Sequence, residues 1–160
     1  DISFWSLKEI PPALESLGQR AVAALGLRER WFHLEFFRLS DGSYVALEAN
    51  LRPPGGFMTD QMNYTCDMDV YRLWARVLTG DDLRDFRYTP RYHVCHVARR
   101  ASRRYRYSHA ELVAKLGDAL LLHRELPAVY HNAMGNEMYL TRHESLAATQ
   151  ESVRLIQATV

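Results

Sequence analysis

The chain has 160 residues, 48% apolar and 24% charged, with a formal net charge of +1. That is enough sequence for one domain with a real core, and its charge is too balanced for a molecule that holds nucleic acid or membrane through its overall field. No run is apolar enough for a transmembrane helix, none reads as a signal peptide, and Cys66 and Cys95 make no metal motif. Free thiols of this kind predict a reduced, cytoplasmic setting.

Residues 1–10 do not declare themselves; Ile2, Phe4 and Trp5 suit a short strand or a helical turn. The chain opens on Asp1 rather than Met, as if in mid-element, which predicts a single domain excised from a longer protein. Pro11-Pro12 opens a helix, with Leu14, Leu17, Val22 and Leu25 as a buried stripe and Gly26 as its stop. Two strand-like runs follow, at about 31–38 and 43–50, around Asp41-Gly42. Asp-Gly between hydrophobic runs signals a hairpin with a two-residue turn. Ser40 then faces Ser43, and Glu35 falls opposite Glu48. His33, Glu35 and Phe37 share one face with Ala46, Glu48 and Asn50, while Phe32, Leu34, Phe36, Val45, Leu47 and Leu51 form a greasy face expected to meet a core.

Opposed carboxylates, with Cβ atoms about 4.5–5.5 Å apart, weaken a sheet unless something positive lies between them. A hard divalent cation would serve, since Mg²⁺ takes one or two carboxylates and fills its shell with waters and phosphates. Asn50 adds an amide oxygen on the same face. Arg52 brings a planar fork suited to a carboxylate or phosphate. After Pro53-Pro54, Gly55-Gly56 leaves backbone N–H groups open to an anion. The alternative is a surface hairpin whose charged face is merely solvated.

These residues resemble the metal-binding hairpin of the ATP-grasp ligases. In that family an acidic residue on one strand and Glu-x-Asn on the next hold Mg²⁺ ions that bridge the ATP phosphates; the matches are Glu35, Glu48 and Asn50. Arg52 matches a position near the transferred phosphate or acyl substrate, and Gly55 and Gly56 match the glycine turn beyond it. The resemblance implies ATP and Mg²⁺ (or Mn²⁺) as cofactors, and a carboxylate and an amine, less often a thiol, as substrates joined through an acylphosphate. It also requires an amino-terminal ATP-grasp part with phosphate-holding lysines. Lys8 and Lys115 are the only lysines present, so that half is expected elsewhere in the same polypeptide, and the isolated piece is expected to be inactive. A homo-oligomer is left open.

Downstream, Phe57 to Met62 reads as connection. Asp60, Gln61 and Asn63 are weak substrate candidates beside the turn and cap roles such residues usually fill. A helix is predicted from about Asp67 to Leu78, capped by Asp67 or Asp69, with Val70, Leu73, Trp74 and Val77 buried and Gly80 closing it. Tyr92 to Ala98 is a strand with Val94 and Val97 inside. Five arginines and two tyrosines then crowd 99–107. They suggest a different class of function, a non-catalytic module for nucleic acid or a protein; solvated or ion-paired arginines at a strand end are the plainer account. Ser108 with Glu111 makes a capping box for a helix ending at Gly117. Strands at 119–126 and 137–141 flank a turn at 133–136, and Ser145 or Glu144 starts a last helix through Ile156. Hairpin-linked strands with helices between them predict an α+β fold, mainly antiparallel with flanking helices, like the carboxy-terminal ATP-grasp subdomain.

Overall fold

A computed structural model describes residues 1–160. In chain order the strands are β1 (Ser3–Trp5), β2 (His33–Arg38), β3 (Tyr44–Asn50), β4 (His93–Arg99), β5 (Leu120–Glu125) and β6 (Glu137–His143). The helices are α1 (Pro12–Ala24), α2 (Met58–Cys66), α3 (Val70–Leu78), α4 (His109–Leu116), the single turn α5 (His131–Met134) and α6 (Leu146–Ile156). The fold is α+β with antiparallel sheets, as expected. No helix is long and apolar enough to cross a membrane. The chain divides into a sheet unit (residues 1–8, 60–68 and 89–160) and a hairpin unit (residues 9–59 and 69–88).

The sheet unit is organised by β4, whose seven residues are all buried between β1 and β6 in the order β1-β4-β6-β5. Alternation puts Cys95 and Val97 on one face with Tyr139, where Leu112 and Leu116 of α4 and Ile156 of α6 complete a core. Full burial of one such side chain is worth about 1.5–3 kcal/mol. The capping box forms as read: Glu111 N–H donates to Ser108 Oγ, and Ser108 N–H donates to the Glu111 carboxylate at 2.8 Å. Val94 and Val97 are fully buried, and Ser145 caps α6. Burial, with the Glu137 charge adding to it, pushes the Tyr139 phenol up to about 12.

The arginine run is largely structural. Arg99 is buried, with Nε donating to the Ile156 carbonyl at 2.6 Å and Nη1 to the Tyr107 carbonyl at 2.9 Å, its plane over the Tyr105 ring. It thus occupies a carbonyl at the C-terminus of α6, where a cation is favoured. Arg100 donates to the carbonyls of His131 and Asn132, and Arg103 pairs with Asp1.

One helix was invisible to periodicity. The stretch read as connection after Phe57 is α2, poor in strong helix formers. Gln61 on α2 is buried and donates to the carbonyls of Phe4 and Val94, a structural role. The single helix expected from Asp67 begins instead at Val70. Asp67 sits in the left-handed region at φ +51 and breaks the chain's helical path, and Asp69 caps the new start by accepting from Arg72 N–H.

The hairpin unit contains α1, β2, β3 and α3. Pro12 opens α1 as expected, but its stripe is only half-buried and Leu25 is exposed. Of the stripe expected on α3, only Val70 is buried. No residue of β2 or β3 is buried, so the greasy face of the hairpin, expected to meet a core, does not.

Candidate metal centre

The hairpin reaches its expected central pairing by an unexpected route. The turn is not the two-residue type. Leu39 N–H donates to Ser43 O at 2.9 Å and Gly42 N–H to Leu39 O at 3.0 Å, closing a three-residue loop with Gly42 at φ +85, where glycine is the natural residue. The Ser43 hydroxyl and amide both donate to Asp41 and hold its carboxyl below the ordinary range. Pairing therefore starts one residue out of the expected step, with Arg38 opposite Tyr44, Phe37 opposite Val45 and Phe36 opposite Ala46. An irregularity between Glu35 and Phe36 then leaves Leu47 as an extra residue on β3, and Glu35 lies opposite Glu48. The bulge also exchanges two side chains. Val45 joins Phe37 on the face of the glutamates, and Ala46 moves to the other face beside Phe36.

Two adjacent cross-strand pairs, His33 with Asn50 and Glu35 with Glu48, form a block of four side chains on one face. Within it Asn50 Nδ2 lies 3.1 Å from His33 Nε2, and His33 Nδ1 lies 2.9 Å from the carbonyl oxygen of Arg52. Glu35 Oε1 is 3.7 Å from His33 Nε2. Glu48 is exposed and makes no hydrogen bond or ion pair within the described residues.

The remaining candidates lie just past the strand. Arg52 is exposed and donates from Nη1 to the Pro53 carbonyl, so its guanidinium is turned onto its own turn and pairs with neither glutamate. Gly55 and Gly56 precede α2, and Gly56 at φ +63 makes a turn that a side chain would strain. Neither hydrogen-bonds to the four-residue block. His33, expected from sequence to stand beside the metal face as a structural or supporting residue rather than a ligand, is bonded within the block to Asn50 and to the Arg52 carbonyl.

The donor set suits a hard cation. Two carboxylates and an amide carbonyl are all oxygen donors, of the number and kind that Mg²⁺ combines with water and phosphate oxygens. No group of three or more His, Cys, Asp or Glu side chains able to hold a metal occurs among the described residues, so Asn50 and non-protein oxygens would have to complete the shell. The nucleotide end is not matched in the same way. Lys8 donates to the Glu144 carbonyl and Lys115 lies over the Tyr107 ring, both within the sheet unit.

No protein-family model and no curated protein sequence matches the chain. Among solved structures it resembles an L-amino acid ligase from Bacillus licheniformis, with a TM-score of 0.73 at 15% identity over 95% of this chain and 43% of that one. The likeness establishes the fold: along nearly all its length the chain folds like part of that ligase, and it spans less than half of that ligase's length.

Proposed function

We propose that the chain is the carboxy-terminal, metal-holding part of an ATP-dependent, Mg²⁺-requiring ligase that joins a carboxylate to an amine through an acylphosphate. What carries this is the block on the hairpin: two opposed glutamates with Asn50 beside them, and no cationic side chain against Glu48, in a chain folded like part of a ligase. When bound, Mg²⁺ neutralises charge on a transferring phosphoryl group and aligns its attacking and leaving oxygens. Glu35 and Glu48 supply the carboxylate ligands and Asn50 an amide oxygen. Arg52, freed from the Pro53 carbonyl, steadies phosphoryl or acyl oxygens, and Gly55 and Gly56 offer backbone N–H groups to the same anion. ATP itself is held mainly by an amino-terminal part of the same longer polypeptide.

The test is Mn²⁺ titration of the chain, followed through the relaxation of water protons. Wild-type protein should enhance relaxation on binding the ion, and Glu48→Gln should abolish the effect. Identical titrations of the two proteins would remove the metal from the proposal. Calorimetry addresses the division of labour: the chain alone should bind ATP weakly or not at all, and micromolar affinity would show that it needs no further part.

A further inference from the structure

The four-residue block contains a group that the metal proposal leaves without a role. His33 is half-buried and touches three of its neighbours at once. Its bonds can be assigned by elimination. The Arg52 carbonyl oxygen only accepts, so Nδ1, 2.9 Å away, carries the ring hydrogen. In the neutral ring Nε2 is then an acceptor, and what faces it at 3.1 Å must be the NH₂ of Asn50. The two ends of an amide are otherwise interchangeable in shape, and an Asn on an exposed strand is free to flip. Here a flip would set the amide oxygen against the Nε2 lone pair. The imidazole therefore forces Asn50 Oδ1 to the side away from itself.

We infer that His33 is a positioning residue: anchored on the Arg52 carbonyl, it fixes the Asn50 amide so that Oδ1, rather than NH₂, is presented to a divalent cation held by Glu35 and Glu48. The inference rests on the metal reading of the hairpin and adds to it a cause for the orientation of one ligand. His33 is not itself a ligand in this scheme. Both ring nitrogens are engaged, and an all-oxygen site suits Mg²⁺ without it. Partners that orient a ligand typically change metal affinity about 10–100-fold when removed.

The two ring bonds can be separated by substitution. A Gln carboxamide lies as many bonds from Cα as Nε2, and an Asn carboxamide as many as Nδ1. His33→Gln keeps an acceptor for Asn50; His33→Asn keeps only a donor for the Arg52 carbonyl. Two measurements on the 160-residue chain decide the matter: the NMR signals of the Asn50 side-chain NH₂ without metal, and the Mn²⁺ titration by water-proton relaxation. His33→Ala and His33→Asn should shift the Asn50 NH₂ signals and weaken Mn²⁺ binding about tenfold or more. His33→Gln should restore binding to within about threefold of wild type, a recovery that a merely structural histidine would not give to Gln over Asn. Circular dichroism melts of each variant identify any that fail to fold, in which case the Gln–Asn contrast decides. Wild-type affinity in His33→Ala, or equal recovery by Asn and Gln, would overturn the inference while the metal site stands. Failure of wild-type protein to take up Mn²⁺ would overturn the site and this inference with it, whatever the Asn50 signals do.

Discussion

The molecule contains two pairs of directly opposed glutamates, one in each unit. In the sheet unit Glu125 faces Glu137 across β5 and β6. There the protein supplies its own compensation: His123 Nε2 lies 2.9 Å from Glu137 Oε2, and the Tyr139 hydroxyl donates to the same oxygen at 3.2 Å. In the hairpin unit Glu35 faces Glu48 with only His33 Nε2 at 3.7 Å from one of them, and nothing from the described residues on the other. The packing differs in the same sense. Every fully buried apolar side chain except Val70 belongs to the sheet unit, whereas Phe37, Val45, Leu47 and Leu51 of the hairpin stretch are about half exposed. One unit satisfies its local rules, and the other leaves like charges and apolar surface uncompensated. Such violations concentrate where a chain meets something outside itself.

The largest effect should come from the core. Leu112→Ala, at a side chain with no exposure in the sheet unit, should lose about 2–5 kcal/mol in urea unfolding. Leu47→Ala, half exposed on β3, should change stability by less than about 0.5 kcal/mol. Equal losses at the two positions would erase the contrast between the units.

Acid should also act on the sheet unit. Burial pushes His96, stacked on Phe4, down from 6.5 to about 4. The unfolded chain accepts a proton near 6.5 that the folded chain refuses until about 4. Stability is therefore whole above that window and falls as pH drops through it, by at most about 3 kcal/mol. Melting temperatures between pH 4 and 7 should fall less steeply in His96→Phe, which keeps a ring against Phe4 but cannot titrate. His143, also held low by burial, leaves part of the slope in place. Parallel slopes in the two proteins would clear His96 of the effect.

Helix caps give a smaller, local comparison. Ser108→Ala removes the hydroxyl half of the capping box at α4 and leaves the backbone N–H of residue 108 on Glu111, and Asp69→Ala removes the single bond at α3. Each should cost about 1 kcal/mol. Amide exchange should quicken over 109–116 in the first variant and over 70–78 in the second. A change spread evenly over both helices would mean that the units do not open separately.

What could be read from sequence tracks local chemistry. The capping box at Ser108 and the Pro12 start of α1 follow from residue types a few positions apart, whereas the opposition of Glu35 to Glu48 was expected from a turn the chain does not make. What escaped reading depended on longer-range or compensating effects. The α2 helix is written in Thr, Asn, Tyr and Cys, and it is tied in place by Gln61 and Thr65 bonding to strand ends distant in sequence. The loop at Ser40 to Gly42 is one residue longer than an Asp-Gly turn suggests, and the extra residue at Leu47 cancels it, so the glutamates meet while Val45 and Ala46 change faces. Amphipathic stripes on α1 and α3 stated which faces could be buried, not whether this chain buries them.

The subtlest prediction returns to the opposed acids. Without metal, Glu48→Gln removes a like charge from a close cross-strand pair and should stabilise the hairpin by about 0.2–1 kcal/mol. Glu137→Gln should do the reverse, because His123 and Tyr139 lose a charged acceptor. Thermal melts in EDTA test both signs. Added Mg²⁺ should then raise the melting temperature of wild-type protein and of Glu137→Gln, since an ion bound only by the folded state stabilises it by mass action. It should leave Glu48→Gln where EDTA left it. A residue retained for stability loses stability when replaced; a residue retained to hold an ion gains it until the ion is supplied. Destabilisation of Glu48→Gln in EDTA would place that glutamate with Glu137, as part of the sheet's own bonding.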